Sequence, residues 1–178
     1  MNTSEIPKIK ILILGLSNSG KTSIVLSLQK TTNLLSYVSL KPTKRIERSE
    51  FEGEFEDKKT KFYIWDFGGQ EIYRKEYLNR FKDYLIGTDK IIYVIDIQDS
   101  KRYDTALKYL DQILSVLKEE DLNADLSIFF HKFDANFTIE ESILNSLLDK
   151  IETKIPKHIE FNIFKSSIFT VFQKGLLR

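Results

Sequence analysis

Apolar and polar positions along this chain fall into two alternating rhythms. Short apolar runs give way to longer stretches with a three-and-four repeat. "KIKILIL" (8–14) is an apolar run stopped by Gly15 and predicts a buried strand. A first helix should follow from Lys21 to about Lys30. "RIERSEFEGEF" and "KFYIWDF" flank the polar turn "EDKK" and predict a hairpin. A second helix should run from near Glu71 to Gly87, a residue suited to a left-handed cap. "KIIYVIDI" (90–97) reads as a strand covered on both faces, and "LSIFFH" (126–131) as the next. Between them Tyr103, Ala106, Leu107, Leu110, Ile113, Leu114 and Leu117 form one helical stripe. Thr138 and Glu141 have capping-box spacing ahead of Ile139, Ile143, Leu147 and Ile151. "IEFNIF" (159–164) should be the last strand, with a short helix ending the chain. Strands alternating with helices of this length predict an α/β fold: a doubly wound, six-stranded, mostly parallel sheet with one antiparallel hairpin strand. Such sheets bind ligands beyond the carboxyl ends of their strands.

The residues at those ends carry the candidate chemistry. "GLSNSGKT" fits the phosphate-loop pattern, with Gly15, Gly20, Lys21 and Thr22 in place between a strand and a helix. Its glycines let the backbone N–H groups around Ser17, Asn18, Ser19 and Gly20 turn toward phosphate oxygens. The helix that begins at Lys21 and continues through Ser23 adds its positive dipole end. Lys21 suits the β- and γ-phosphates, and the Thr22 hydroxyl suits Mg2+. A plain glycine turn is the bland alternative. "WDFGGQE" (65–71) ends the second hairpin strand. There Asp66 can hold Mg2+ through water, the Gly69 N–H can meet the γ-phosphate, and Gln70 can orient an attacking water. An ordinary strand-to-helix loop would look similar. "HKFD" closes the fifth strand with Lys132 and Asp134 at the spacing of a guanine reader, but with His131 where asparagine usually stands. A buried strand that happens to end in charges is the competing reading.

Composition narrows the rest. Lys and Arg total 27 against 26 Asp and Glu in 178 residues, so no global field recruits nucleic acid or an anionic membrane. The charge runs "KPTKR" and "EFEGEFED" read as solvated faces or loops. Cysteine is absent, which excludes disulfides, thiolate sites and prenyl or palmitoyl anchors. Two isolated histidines do not make a zinc site. Asn2 stands where myristoylation needs glycine, and no apolar run approaches the roughly 20 residues of a membrane span. A single cytoplasmic domain over residues 1–178 follows, without a direct membrane anchor.

With these motifs in order, nearly the whole chain resembles the Ras-like small GTPases, and within them most the Rag/Gtr branch. "WDFGGQE" is close to the form shared by Arf and Rag proteins. The histidine of "HKFD" and the serine–isoleucine pair in "FKSSIF" resemble the Rag forms of the guanine-contacting loops. The resemblance implies a switch that cycles between GTP and GDP with slow, Mg2+-dependent hydrolysis. Thr43 in "LKPTK" would be the switch I threonine that joins Thr22 and Asp66 around the metal. Switch I would span about 33–48 and switch II about 67–85. Asp134 would accept from both edge donors of guanine, with the Lys132 stem along the base and Ser166, Ser167 and Ile168 forming the last contact loop. The Ser167 N–H would meet the guanine carbonyl. Effectors, exchange factors and activators are the implied protein partners, with pairing to a related GTPase and recruitment to a membrane through partners. The chain departs from Rag proteins in stopping before a roadblock-like second domain, and from Arf proteins in lacking an amphipathic start in residues 1–8. Ser17 replaces the glycine of Ras, as in Rag proteins. No arginine stands out as a built-in finger, although Arg74 and Arg80 are near the site in sequence, so an activator would supply one. Two rival readings are a scaffold that holds nucleotide without turnover and a P-loop ATPase or small-molecule kinase. "HKFD" argues against the second.

Overall fold

The computed structural model describes residues 6–29, 40–120 and 125–168. Strand β1 (Lys8–Gly15) leads through the phosphate loop into helix α1 (Lys21–Leu28). The hairpin β2 (Ile46–Phe55) and β3 (Lys58–Phe67) precedes α2 (Glu71–Leu78) and α3 (Phe81–Leu85). Then come β4 (Lys90–Asp96), a single turn at Ser100–Arg102, α4 (Tyr103–Glu119), β5 (Asp125–His131), α5 (Glu141–Lys154) and β6 (Phe161–Lys165). The sheet has six strands in the order β2-β3-β1-β4-β5-β6. Only β2 runs antiparallel to its neighbour. This is the fold that the alternating rhythms predict.

Period-two burial explains how the sheet is covered. Ile11 and Ile13 of β1, with Ile92 and Val94 of β4, pack under Ile24 and Val25 of α1. Leu12, Leu14, Ile91, Tyr93 and Ile95 point the other way, to a larger core closed by α2, α3, α4 and α5. The whole predicted stripe of α4 is buried there. β1 and β4 are apolar on both faces because both faces are covered, as in parallel sheets generally. Register then sets the working edge: Ile13 pairs with Asp66, Gly15 with Val94, and Asp96 with His131. No helix among the described residues is long and apolar enough to cross a membrane.

Some boundaries differ from the sequence expectation. The helix expected over 71–87 is two helices. Arg80 leaves the helical region (φ −128°, ψ 21°), and Phe81 and Tyr84 pack against Phe67 at 6.4 and 5.4 Å, holding the second piece in its own direction. Gly87 is left-handed after it (φ 66°). The capping box at Thr138 and Glu141 does not form. Helix α5 starts later, with Glu140 at its N-cap and no side-chain cap, and its first turn closes on the Glu140 carbonyl. Leu147 and Ile151 are buried as expected, but Ile143 is 40% exposed. Phe161 packs on the core, whereas Phe164 is exposed and meets the Phe129 ring in an edge-to-face contact at 5.4 Å. The expected final helix lies outside the described residues, as do residues 33–39 of the expected switch I segment.

The hairpin turn is tighter than "EDKK": two residues, Glu56 and Asp57, join the strands, with φ of 49° and 60°. Side chains with a β-carbon adopt this left-handed region at a cost, and Asn-Gly is the pair that suits it. The double substitution E56N/D57G should therefore stabilise the fold by about 1 kcal/mol, read as a higher urea midpoint at unchanged slope.

Candidate functional site

The phosphate loop folds as it does because its neighbours leave no room for anything larger. A β-carbon on Gly69 would lie 2.2–2.4 Å from backbone atoms of Leu16 and Ser17. A β-carbon on Gly20 (φ 92°) would lie 2.2 Å from the ring of His131. The Ser17 N–H donates to the Gly69 carbonyl at 3.0 Å, which ties the start of the expected switch II to the loop. A cleft of about 350 Å³ is bounded by Ser17, Asn18 and Gly20 to Ser23, by Leu40 to Thr43, and by Gly69 and Gln70. Residues expected from three separate motifs thus line one space. Ser19 is buried with its hydroxyl unpaired, and Gln70 is exposed at the N-cap of α2.

Three oxygens converge at the floor of the cleft. The Thr22 hydroxyl donates to Asp66 Oδ2 at 2.5 Å, the Thr43 hydroxyl donates to the same atom at 3.0 Å, and the two hydroxyls are 2.9 Å apart. Asp66 Oδ1 is buried without a partner. An oxygen-only set with one orphaned carboxylate oxygen fits a small hard cation such as Mg2+, whose ligands are hydroxyls, carboxylates and waters. Burial pushes the Asp66 carboxyl up, against the two hydroxyls and Lys21. Lys21 is buried and donates to the Leu16 carbonyl at 2.7 Å. Its ammonium is brought down to about 8, first by burial, with Arg74 and Arg102 adding repulsion and Asp66 opposing. Lys21 and Lys41 line the cleft and no acid is among its lining residues, so the cleft suits an anion.

On the far side of Gly20 the guanine-type residues assemble. His131 is buried, its Nδ1 3.0 Å from the Ser166 hydroxyl and its other edge against Gly20. Burial, then Lys132, pushes the imidazole down, so it is neutral near pH 7. Lys132 reaches back to Asp96 Oδ2 at 2.6 Å. Asp134 accepts from the Ser167 hydroxyl at 2.8 Å and from the Gln98 amide at 2.9 Å. Ile168 is half-buried beside them at the end of the described chain. Sequence reasoning missed Asp96, Gln98 and Arg102, which come from the connection after β4. Arg102 pairs with Asp99 and donates to the Ser17 carbonyl at 3.0 Å. The arginines noted in advance do neither: Arg80 pairs with Asp83, and Arg74 stacks over Tyr109 at 5.0 Å.

Comparison with known proteins bears on this arrangement. The model of the Arf: ADP-ribosylation factor family matches residues 2–177. The chain belongs to the Arf family. ADP-ribosylation factor-like protein 1 of Saccharomyces cerevisiae is 32% identical over 149 residues, covering 83% of this chain and 73% of the relative. Human ADP-ribosylation factor-like protein 4A is 29% identical over 153 residues, covering 84% and 72%. The structure of the Arl6 BBS3 small GTPase from Trypanosoma brucei with bound GppNp shares the fold, with a TM-score of 0.66, 22% identity and coverage of 90% and 87%. The Ras-like superfamily expected from the motifs is thereby shown, and the Rag/Gtr branch finds no support. His131 pointed there, yet what its place requires is a flat, neutral, hydrogen-bonding side chain, and that requirement does not single out one branch.

For this Arf-family chain the neutral wedge sets a pH dependence. The folded state binds a proton at His131 less readily than the unfolded chain, whose histidine titrates near 6.5. As pH falls through 6.5 the unfolded state gains more protons and stability drops. His131→Asn should remove that part of the drop, measured as urea midpoints across the acid range.

Proposed function

We propose that this chain is a guanine-nucleotide switch that hydrolyses GTP slowly and presents different surfaces to partners in its GTP and GDP states. The convergence of Thr22, Thr43 and Asp66 beside a buried Lys21 carries the reading. Family membership supports a GTP-binding switch, and the Trypanosoma brucei structure of the same fold, which holds bound GppNp, supports the same ligand class.

In this reading Lys21 exchanges the Leu16 carbonyl for β- and γ-phosphate oxygens, which return its full charge. The N–H groups from Asn18 to Ser23 and of Gly69 would surround the remaining oxygens, while the Ser17 N–H stays on the Gly69 carbonyl. Thr22, Thr43 and Asp66 would hold Mg2+, Asp66 through water, and the ion when bound would supply positive charge against the phosphates. Thr43 is the detector: its hydroxyl joins the cluster only when the segment around Leu40–Thr43 is in place. Gln70, at the mouth of the cleft, orients the attacking water. Asp134, Lys132 and the 166–168 loop read the base. Effectors, exchange factors and activators engage the segments carrying Thr43 and Gln70, and partners bring the cytoplasmic chain to membranes.

Two measurements test this. Gln70→Leu should leave GTP affinity near wild type while single-turnover hydrolysis falls at least about tenfold. A wild type that holds GTP with no turnover would instead make the chain a nucleotide-holding scaffold. Asp134→Asn should weaken GTP by on the order of a hundredfold and favour xanthosine triphosphate, because an amide can donate where the carboxylate accepted. Competition against a fluorescent nucleotide reads both, and unchanged base preference would remove Asp134 from the site.

A further inference from the structure

We propose that Gln98 is a positioning residue for base recognition, its carboxamide fixing the Asp134 carboxylate in the plane that a guanine edge requires. The inference rests on the reading of Asp134 above.

The connection after β4 plants Gln98 firmly. Ile97 is buried, and its N–H donates to the His131 carbonyl at 3.0 Å. The Gln98 N–H donates to Asp96 Oδ1 at 3.0 Å. From there the side-chain nitrogen reaches two acceptors, the Lys132 carbonyl at 2.8 Å and Asp134 Oδ2 at 2.9 Å. Both partners are acceptors only, so the NH2 end of the amide must face them, and both of its hydrogens are used. Lys132 needs such a hold because its backbone lies in the left-handed region (φ 64°), costly for a residue with a β-carbon. The second carboxylate oxygen, Oδ1, accepts from the Ser167 hydroxyl at 2.8 Å. Asp134 is thus gripped at both oxygens by groups from two different loops.

That grip has a chemical consequence. A guanine edge offers two adjacent donors, the ring N–H and the exocyclic amine, and a carboxylate meets both only if its plane is set. Each oxygen has more than one acceptor direction, so the grip leaves room for one ligand donor apiece. Released at Oδ2, the carboxylate can turn and keep one contact while losing the other. The base with the ring N–H but no exocyclic amine, hypoxanthine, isolates that second contact.

The experiment measures GDP, IDP and ADP affinities by displacement of a fluorescent GDP from the full chain, alongside thermal unfolding. Gln98→Met keeps length and loses both donors; Gln98→Glu keeps shape and sets a carboxylate against Asp134. Each folded variant should lower the GDP-over-IDP preference at least about threefold, the loss of roughly one exposed hydrogen bond, while keeping a cooperative unfolding transition well above the assay temperature. Gln98→Glu should be the more severe. A preference retained in either folded variant, or GDP and IDP weakened in parallel, would overturn the proposal. A wild type with no preference for GDP over IDP and ADP would instead overturn the reading of Asp134 itself.

Discussion

The phosphate loop is held from three sides by contacts closer than a β-carbon allows. Gly15 lies against the Val94 carbonyl, where an added carbon would be 2.3 Å away; Gly20 lies against His131; Gly69 lies against Leu16 and Ser17. Each contact reports on a different part of the fold. The first requires β4 beside β1, the second requires β5 beside β4, and the third requires β3 on the other side of β1. The strand order is therefore read out at one loop. A shift of any neighbour would open the loop or crush it, so the geometry of the cleft depends on the register of the whole sheet.

Charge is balanced less completely than space. Lys21 and Asp66 each attract the other, yet burial dominates both and drives each toward its neutral form. Pairing alone does not compensate two buried charges unless further hydrogen bonds satisfy them, and Asp66 Oδ1 has none. Arg74 and Arg102 add positive charge around Lys21, although Arg102 is itself paired with Asp99. Such a site is stable as a protein fold and incomplete as an electrostatic one. A polyanion with a divalent cation supplies the missing charges of both signs, and this is why the proposed ligand and metal belong together.

Much of this was legible in the sequence, and for a physical reason. Apolar runs and the α4 stripe have periods that follow from strand and helix geometry, and the motifs fix spacing between backbone groups that must surround phosphates. What escaped has no period. The bend at Arg80 depends on where Phe67 waits for Phe81 and Tyr84, and the start of α5 on how the chain leaves Phe137 and Ile139. Gln98 and Arg102 lie in a polar turn whose side chains find partners 34 and 85 residues away. The Rag/Gtr branch was expected from a few loop positions, His131 with the Ser167–Ile168 pair, whereas similarity spread over residues 2–177 places the chain in the Arf family.

The turn after β4 deserves its weight for what it joins. Asp96 and Gln98 hold the loop proposed to read the base, at Lys132 and Asp134, and Arg102 holds the phosphate loop at Ser17. His131 makes the same connection from the other side, touching Gly20 with one edge and Ser166 with the other. Base loop and phosphate loop are therefore linked twice, through elements that lie outside both. Among the described residues, Thr43 is tied to the cluster through its hydroxyl, Gly69 to Ser17 by a backbone hydrogen bond, and the two segments to each other by the Gly68 N–H, which donates to the Arg45 carbonyl at 2.7 Å. In the proposed switch the doubly linked half would hold the base while the other half responds to what occupies the cleft. In a switch, that division puts affinity and signal on different parts of one edge.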